Sequence, residues 1–190
     1  MNYYDELPEG YKEYKVIDAK KTSTAIIFNI ISIVVMVIVL FLGIGIKSLF
    51  QDFEMKVVGN SLVLLMYILI VVVYVILHEL AHGLCYKIYT KKKLTFGLSL
   101  SCAYCGVPSI YVKKIPMIIT VLAPAVIFTI IMVPVLFLLP ADINYFMMLL
   151  IFGLHLGGCS GDIYFAVTLI KAPKDVLLND TGPKQTFYKR

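Results

Sequence analysis

Charge is scarce in this chain. Asp, Glu, Lys and Arg make up 15% of its 190 residues, against about 25% in a soluble globular domain. That scarcity, with 60% hydrophobic residues and a mean hydropathy of +0.89, excludes an ordinary water-soluble domain. Cysteine is sparse too. Cys85, Cys102, Cys105 and Cys159 all fall at or near the side that the basic residues below mark as cytosolic, where thiols stay reduced, so no disulfide framework is expected. Cys102 and Cys105 have a knuckle-like spacing but no second pair to complete a zinc knuckle, so they read as reduced loop thiols. No repeat of 20–50 residues and no low-complexity tract interrupts the chain, which excludes solenoids and disordered linkers. The first apolar run follows a mostly polar segment and lacks a small-residue cleavage site, so it reads as an anchor that stays in the protein.

What is present is long apolar runs. Thr24–Ile46, Val57–Leu77, Met117–Ala141 and Ile143–Gly161 are free of Asp, Glu, Lys and Arg, and each is long enough to cross a hydrocarbon core as a helix. The sequence therefore predicts an all-α membrane protein with a single membrane-embedded domain over 1–190. Its four transmembrane helices are expected at 24–46, 57–89, 117–139 and 143–170, after a cytosolic segment 1–23 and before a polar, mobile tail 171–190. Asp142 is placed to cap the fourth helix, and Pro124 and Pro134 are expected to bend the third or open its backbone bonding. Between the second and third spans, residues 94–101 alternate apolar with small or polar side chains, a short strand-like or hairpin loop. Residues 105–108 supply turn chemistry after it.

The basic residues give an orientation. Fifteen of the 17 lie before the first span, between the second and third, or after the fourth; Lys47 and Lys56 lie on the other side. Basic loops stay cytosolic, which predicts a multi-pass protein with both termini and the central loop in the cytosol. The net charge of +5 follows from this bias and from attraction to the anionic surface of the lipid bilayer, and needs no nucleic acid.

Against this apolar background His78, Glu79 and His82 stand out near the cytosolic end of the second span. Ionisable side chains within a membrane helix are costly and point to function. Histidines four apart share one helix face and can hold one metal ion, while Glu79 can reach water at that metal without occupying a coordination position. A zinc site of this type needs a third protein ligand. The fourth span offers His155 and Asp162. Counted from the outer ends of their helices at 1.5 Å per residue, His78 and Asp162 both lie about 27–29 Å deep. His155 falls nearly two turns short of that level, which favours Asp162. Gly157 and Gly161 form a small-residue pair beside it that would allow helices to approach closely.

His78-Glu79-Leu80-Ala81-His82-Gly83, the later Leu122-Ala123-Pro124 and the Gly161-Asp162 pair together resemble one known group. It is the zincin peptidase family of small bacterial integral membrane metalloproteases, relatives of the site-2 proteases. The resemblance implies a bacterial cell-membrane location and zinc as cofactor. It implies His78, His82 and Asp162 as metal ligands, Glu79 as catalytic base, and membrane protein or peptide substrates. Site-2 proteases show Asp-Gly where this chain has Gly161-Asp162-Ile163, a departure at the third ligand. Two other classes of function fit parts of the sequence: a membrane scaffold or regulatory protein with structural zinc, and a metal transporter using His78, Glu79, His82, His155 and Asp162. The outer halves of the spans are almost purely apolar, which argues against transport.

Overall fold

The computed structural model describes residues 2–52, 61–98 and 103–190; Cys102 and Lys56 lie outside them. Among the described residues the order is β1 (Tyr3–Tyr4), β2 (Lys12–Asp18), α1 (Thr22–Ser48), α2 (Ser61–Thr90), β3 (Thr95–Leu98), β4 (Ala103–Lys113). There follow α3 (Lys114–Leu138), α4 (Ile143–Gly158), α5 (Ser160–Lys171), β5 (Leu177–Asp180) and β6 (Lys184–Lys189). Helices α1, α2 and α3, and α4 with α5 taken together, are long and apolar enough to cross a membrane. Their large apolar side chains, such as Ile30, Phe41, Leu65 and Ile130, stay exposed, which is compatible with a lipid environment. Asp142 caps α4, accepting from the N–H groups of Asn144 (2.9 Å) and Tyr145 (3.3 Å).

The all-α expectation is overturned by a six-stranded antiparallel sheet. Its order is β1-β4-β5-β6-β2, with β3 paired to β4. The hairpin after α2 is present as β3 and β4, but the segment 105–108 is not its turn. It lies within β4, where the register with β5 shifts between Val107 and Val112. Pro108 has no N–H for a ladder, so a strand tolerates it at such an irregularity. The Asn179 side-chain amide donates there to the carbonyls of Pro108 (2.8 Å) and Ile110 (3.0 Å). The segment 1–23 and the tail expected to be mobile supply the rest: β2 pairs with β6, and β6 with β5.

Contacts divide the chain into two compact units, Met1–Ile27 with Ile76–Pro124 and Gly161–Arg190, and Phe28–Val75 with Ala125–Ser160. In the first, the sheet packs on parts of α2, α3 and α5 through a core that includes Tyr86, Val107, Ile110, Met117, Leu169, Leu178 and Phe187. Phe187 is wholly buried, edge-on to Phe165 at 5.4 Å and Tyr14 at 6.1 Å. In the second, α1 packs on α4 at glycines. A Cβ on Gly157 would stand 2.6 Å from the Ser32 carbonyl oxygen, so only glycine admits this approach. Ser32 Oγ donates to the Gly157 carbonyl at 2.6 Å. The small residue thus serves α1, a partner that sequence spacing did not identify.

Candidate metal centre

α2 is helical through residues 78–82 because Leu, Ala, Glu and His interrupt no hydrogen bonds, and Gly83 follows only where the helix meets the hairpin. A Cβ on Gly83 would lie 3.0 Å from Leu94 and from Phe96, and 3.4 Å from Cys105 Sγ. The glycine therefore lets the start of the sheet close on the motif. One helical turn brings the His78 and His82 rings to 5.1 Å between centroids, inclined at 78°. The fourth span breaks at Cys159, between α4 and α5. Asp162 then lies in the first turn of α5, where helix dipole and free N–H groups favour a carboxylate.

The three residues converge. His78 Nε2 is 3.2 Å from Asp162 Oδ2, and His82 Nε2 is 3.5 Å from Asp162 Oδ1. One donor atom from each lies within 4.8 Å of the others. Ligands about 2.0–2.1 Å from a tetrahedral zinc ion stand roughly 3.4 Å apart, so this donor set fits zinc. His82 Nδ1 is 2.9 Å from the Thr120 carbonyl oxygen. A carbonyl only accepts, so Nδ1–H donates and Nε2 keeps its lone pair for a metal. Thr120 Oγ1 in turn donates to the Pro116 carbonyl (2.9 Å) and lies 2.7 Å from the Tyr89 hydroxyl.

Glu79 is half-buried and interacts electrostatically with His78, His82 and Asp162. His155 is buried in the other unit, with Tyr74 Oη 2.8 Å from Nδ1 and Thr129 Oγ1 3.1 Å from Nε2. Its imidazole is thus satisfied by hydroxyls of α2 and α3.

Two contributors escaped the sequence reading. Thr120 acts through a backbone carbonyl, which no residue type announces. Asp180 lies in the tail taken for mobile, yet it is buried on β5 and accepts from the Tyr86 hydroxyl and, at 2.8 Å, from the Gly182 N–H. Burial pushes its carboxyl up to about 6, although the Tyr86 and Gly182 bonds pull it back. An acid two residues after a Leu-Leu pair and two before a glycine at positive φ was the available mark. Cys105, beneath Gly83, is likewise pushed up to about 12 by burial, and is an inert packing thiol.

A family model described as "Putative zincin peptidase" matches residues 71–177, the stretch that contains both histidines, Glu79, Thr120 and Asp162. No curated protein and no solved structure matches the chain.

Proposed function

The chain belongs to this zincin peptidase family, and on that premise we propose that it is a zinc-dependent peptidase of the membrane, cutting membrane-associated protein or peptide substrates. The reading extends to a site-2-protease-like role in a bacterial cell membrane, with the lysine-rich ends and the mouth of the site in the cytosol. The observation that carries it is the convergence of His78 Nε2, His82 Nε2 and the Asp162 carboxylate, with Glu79 beside them and committed to no hydrogen bond or ion pair among the described residues. A bound zinc ion would supply Lewis acidity at the scissile carbonyl and acidify water to a pKa of about 7.

The protein's own groups do the rest. Glu79 takes a proton from the attacking water as its oxygen bonds to the carbonyl carbon. It returns that proton to the amide nitrogen as the C–N bond breaks, leaving a carboxylic acid and an amine, and the acid's proton then passes to the amine to give carboxylate and ammonium. Thr120 and Asp162 hold the two imidazoles at fixed angles. β3 pairs only with β4 among the described residues, and Phe96 on it lies against Gly83. An unwound substrate strand can therefore add to that edge beside the site, through main-chain bonds that demand little sequence.

The test is metal analysis of purified protein together with cleavage of model transmembrane substrates. Glu79→Gln should retain zinc and lose turnover, because an amide cannot accept the proton; His78→Ala and His82→Ala should lose both. Full turnover by Glu79→Gln would end the proposal. Zinc flux through liposomes would replace it with transport.

A further inference from the structure

In an α-helix the carbonyl of residue i accepts from the N–H of residue i+4. For Thr120 in α3 that residue is Pro124, which has no N–H, and whose ring also presses against the carbonyl four residues back. The Thr120 carbonyl is thus deprived of the N–H donor that the helix would otherwise supply from residue 124. It is this carbonyl that stands 2.9 Å from His82 Nδ1. α3 otherwise runs unbroken from Lys114 to Leu138, so the proline does not end the helix.

We propose that Pro124 is a positioning residue for the metal centre: by freeing the Thr120 carbonyl it fixes the tautomer and ring angle of His82. A neutral imidazole donates from one nitrogen and accepts at the other. His82 has an acceptor on each side, the Thr120 carbonyl at Nδ1 and Asp162 Oδ1 at 3.5 Å from Nε2. If Nε2 carried the hydrogen and donated to Asp162, His82 would have no lone pair on that side to offer a metal. The unpaired carbonyl tips the balance to Nδ1–H and leaves Nε2 aimed at the shared position. The proline would ordinarily be a liability within a helix, and here its cost falls on the turn that supports a ligand. The inference rests on His78, His82 and Asp162 being a metal site, not on hydrolysis.

This makes two effects of opposite sign, which a merely structural proline would not produce. Pro124→Ala restores the amide donor to the Thr120 carbonyl. The metal-free protein should then melt at a higher temperature, as it should for Pro134→Ala, a second proline in the same helix. Zinc affinity, measured by competition with a chelator, should fall about tenfold or more for Pro124→Ala, the range seen when a partner of a ligating imidazole is removed. It should stay at the wild-type value for Pro134→Ala. Nitrogen chemical shifts of labelled histidine in the metal-free protein give a readout independent of zinc and of cleavage. The wild type should show His82 protonated at Nδ1, and Pro124→Ala should add the Nε2–H form. If the His82 shifts are the same in both proteins, or if the two proline variants weaken zinc equally, the assignment fails. A wild type that binds zinc but cuts nothing would remove the proposed reaction and leave this inference standing.

Discussion

Asp180→Asn should make the protein more stable at neutral pH, although it removes a charged group that accepts two hydrogen bonds. Asp180 is buried in the sheet, and its carboxyl is raised from 3.8 to about 6 because burial penalises the ionised form. A folded pKa above the unfolded one means that the fold binds the proton more tightly than the open chain does. The associated stability is whole below about pH 4 and drains away as pH rises through about 6. The full loss corresponds to about 3 kcal/mol, or a melting point lower by roughly 6–12 °C for a chain of this size. An asparagine in the same rotamer can accept from the Gly182 N–H and donate to the Tyr86 hydroxyl, which accepts as readily as it donates. Both contacts survive, and the desolvated charge does not. Melting curves of purified protein in detergent, taken between pH 4 and pH 8 with and without the substitution, measure the difference directly. Every other titrating group is common to both proteins and cancels. The wild type should lose stability across that window and Asp180→Asn should lose much less, so that the variant is the more stable at pH 8. Parallel curves would refute the account, and so would a variant that is weaker at every pH.

Phe187→Ala removes a wholly buried ring from between Phe165 and Tyr14 and should cost about 3–5 kcal/mol in denaturant unfolding; a change under about 1 kcal/mol would mean that the sheet is not part of the folded core. Asp162→Ala should sharply reduce bound zinc per folded chain, whereas His155→Ala should leave it largely intact, because that ring is engaged by Tyr74 and Thr129; the reverse order would move the ligand role to His155. Single cysteines placed at Lys21 and Lys184 should react with a membrane-impermeant reagent only from the cytosolic face, and labelling from outside would invert the topology.

The helices were legible because a long uninterrupted apolar run is the least ambiguous signal a sequence carries. The sheet was not, for a reason visible in its parts. β1 has 2 residues, β3 and β5 have 4 each, and β6 has 6, too short for alternation to rise above chance. Its strands also come from three segments far apart in the chain, and β6 shows only Thr186 and Phe187 buried among polar neighbours. The candidate site stood out for the opposite reason. Imidazole and carboxylate in an apolar helix are expensive enough to advertise themselves, and the Asp162 carboxylate stands 3.2 Å from His78 Nε2 and 3.5 Å from His82 Nε2. What surrounds these three side chains was hidden because backbone carbonyls have no letter in a sequence.

The pairing of β2 with β6 also sets an order of events during synthesis. β2 leaves the ribosome before its partners, residues 184–189, which follow only after all four long apolar stretches have been made, on the order of 10–30 s later at ordinary elongation rates. For that interval β2 is an unpaired strand, and its lysines at 12 and 15 guard an edge that could otherwise recruit another chain. The two histidines of α2 wait as well, since Asp162 is translated 80 residues after His82. The candidate site is therefore assembled late, with its carboxylate arriving shortly before the strands that close the sheet, and a half-made chain has two of the three side chains but not the third.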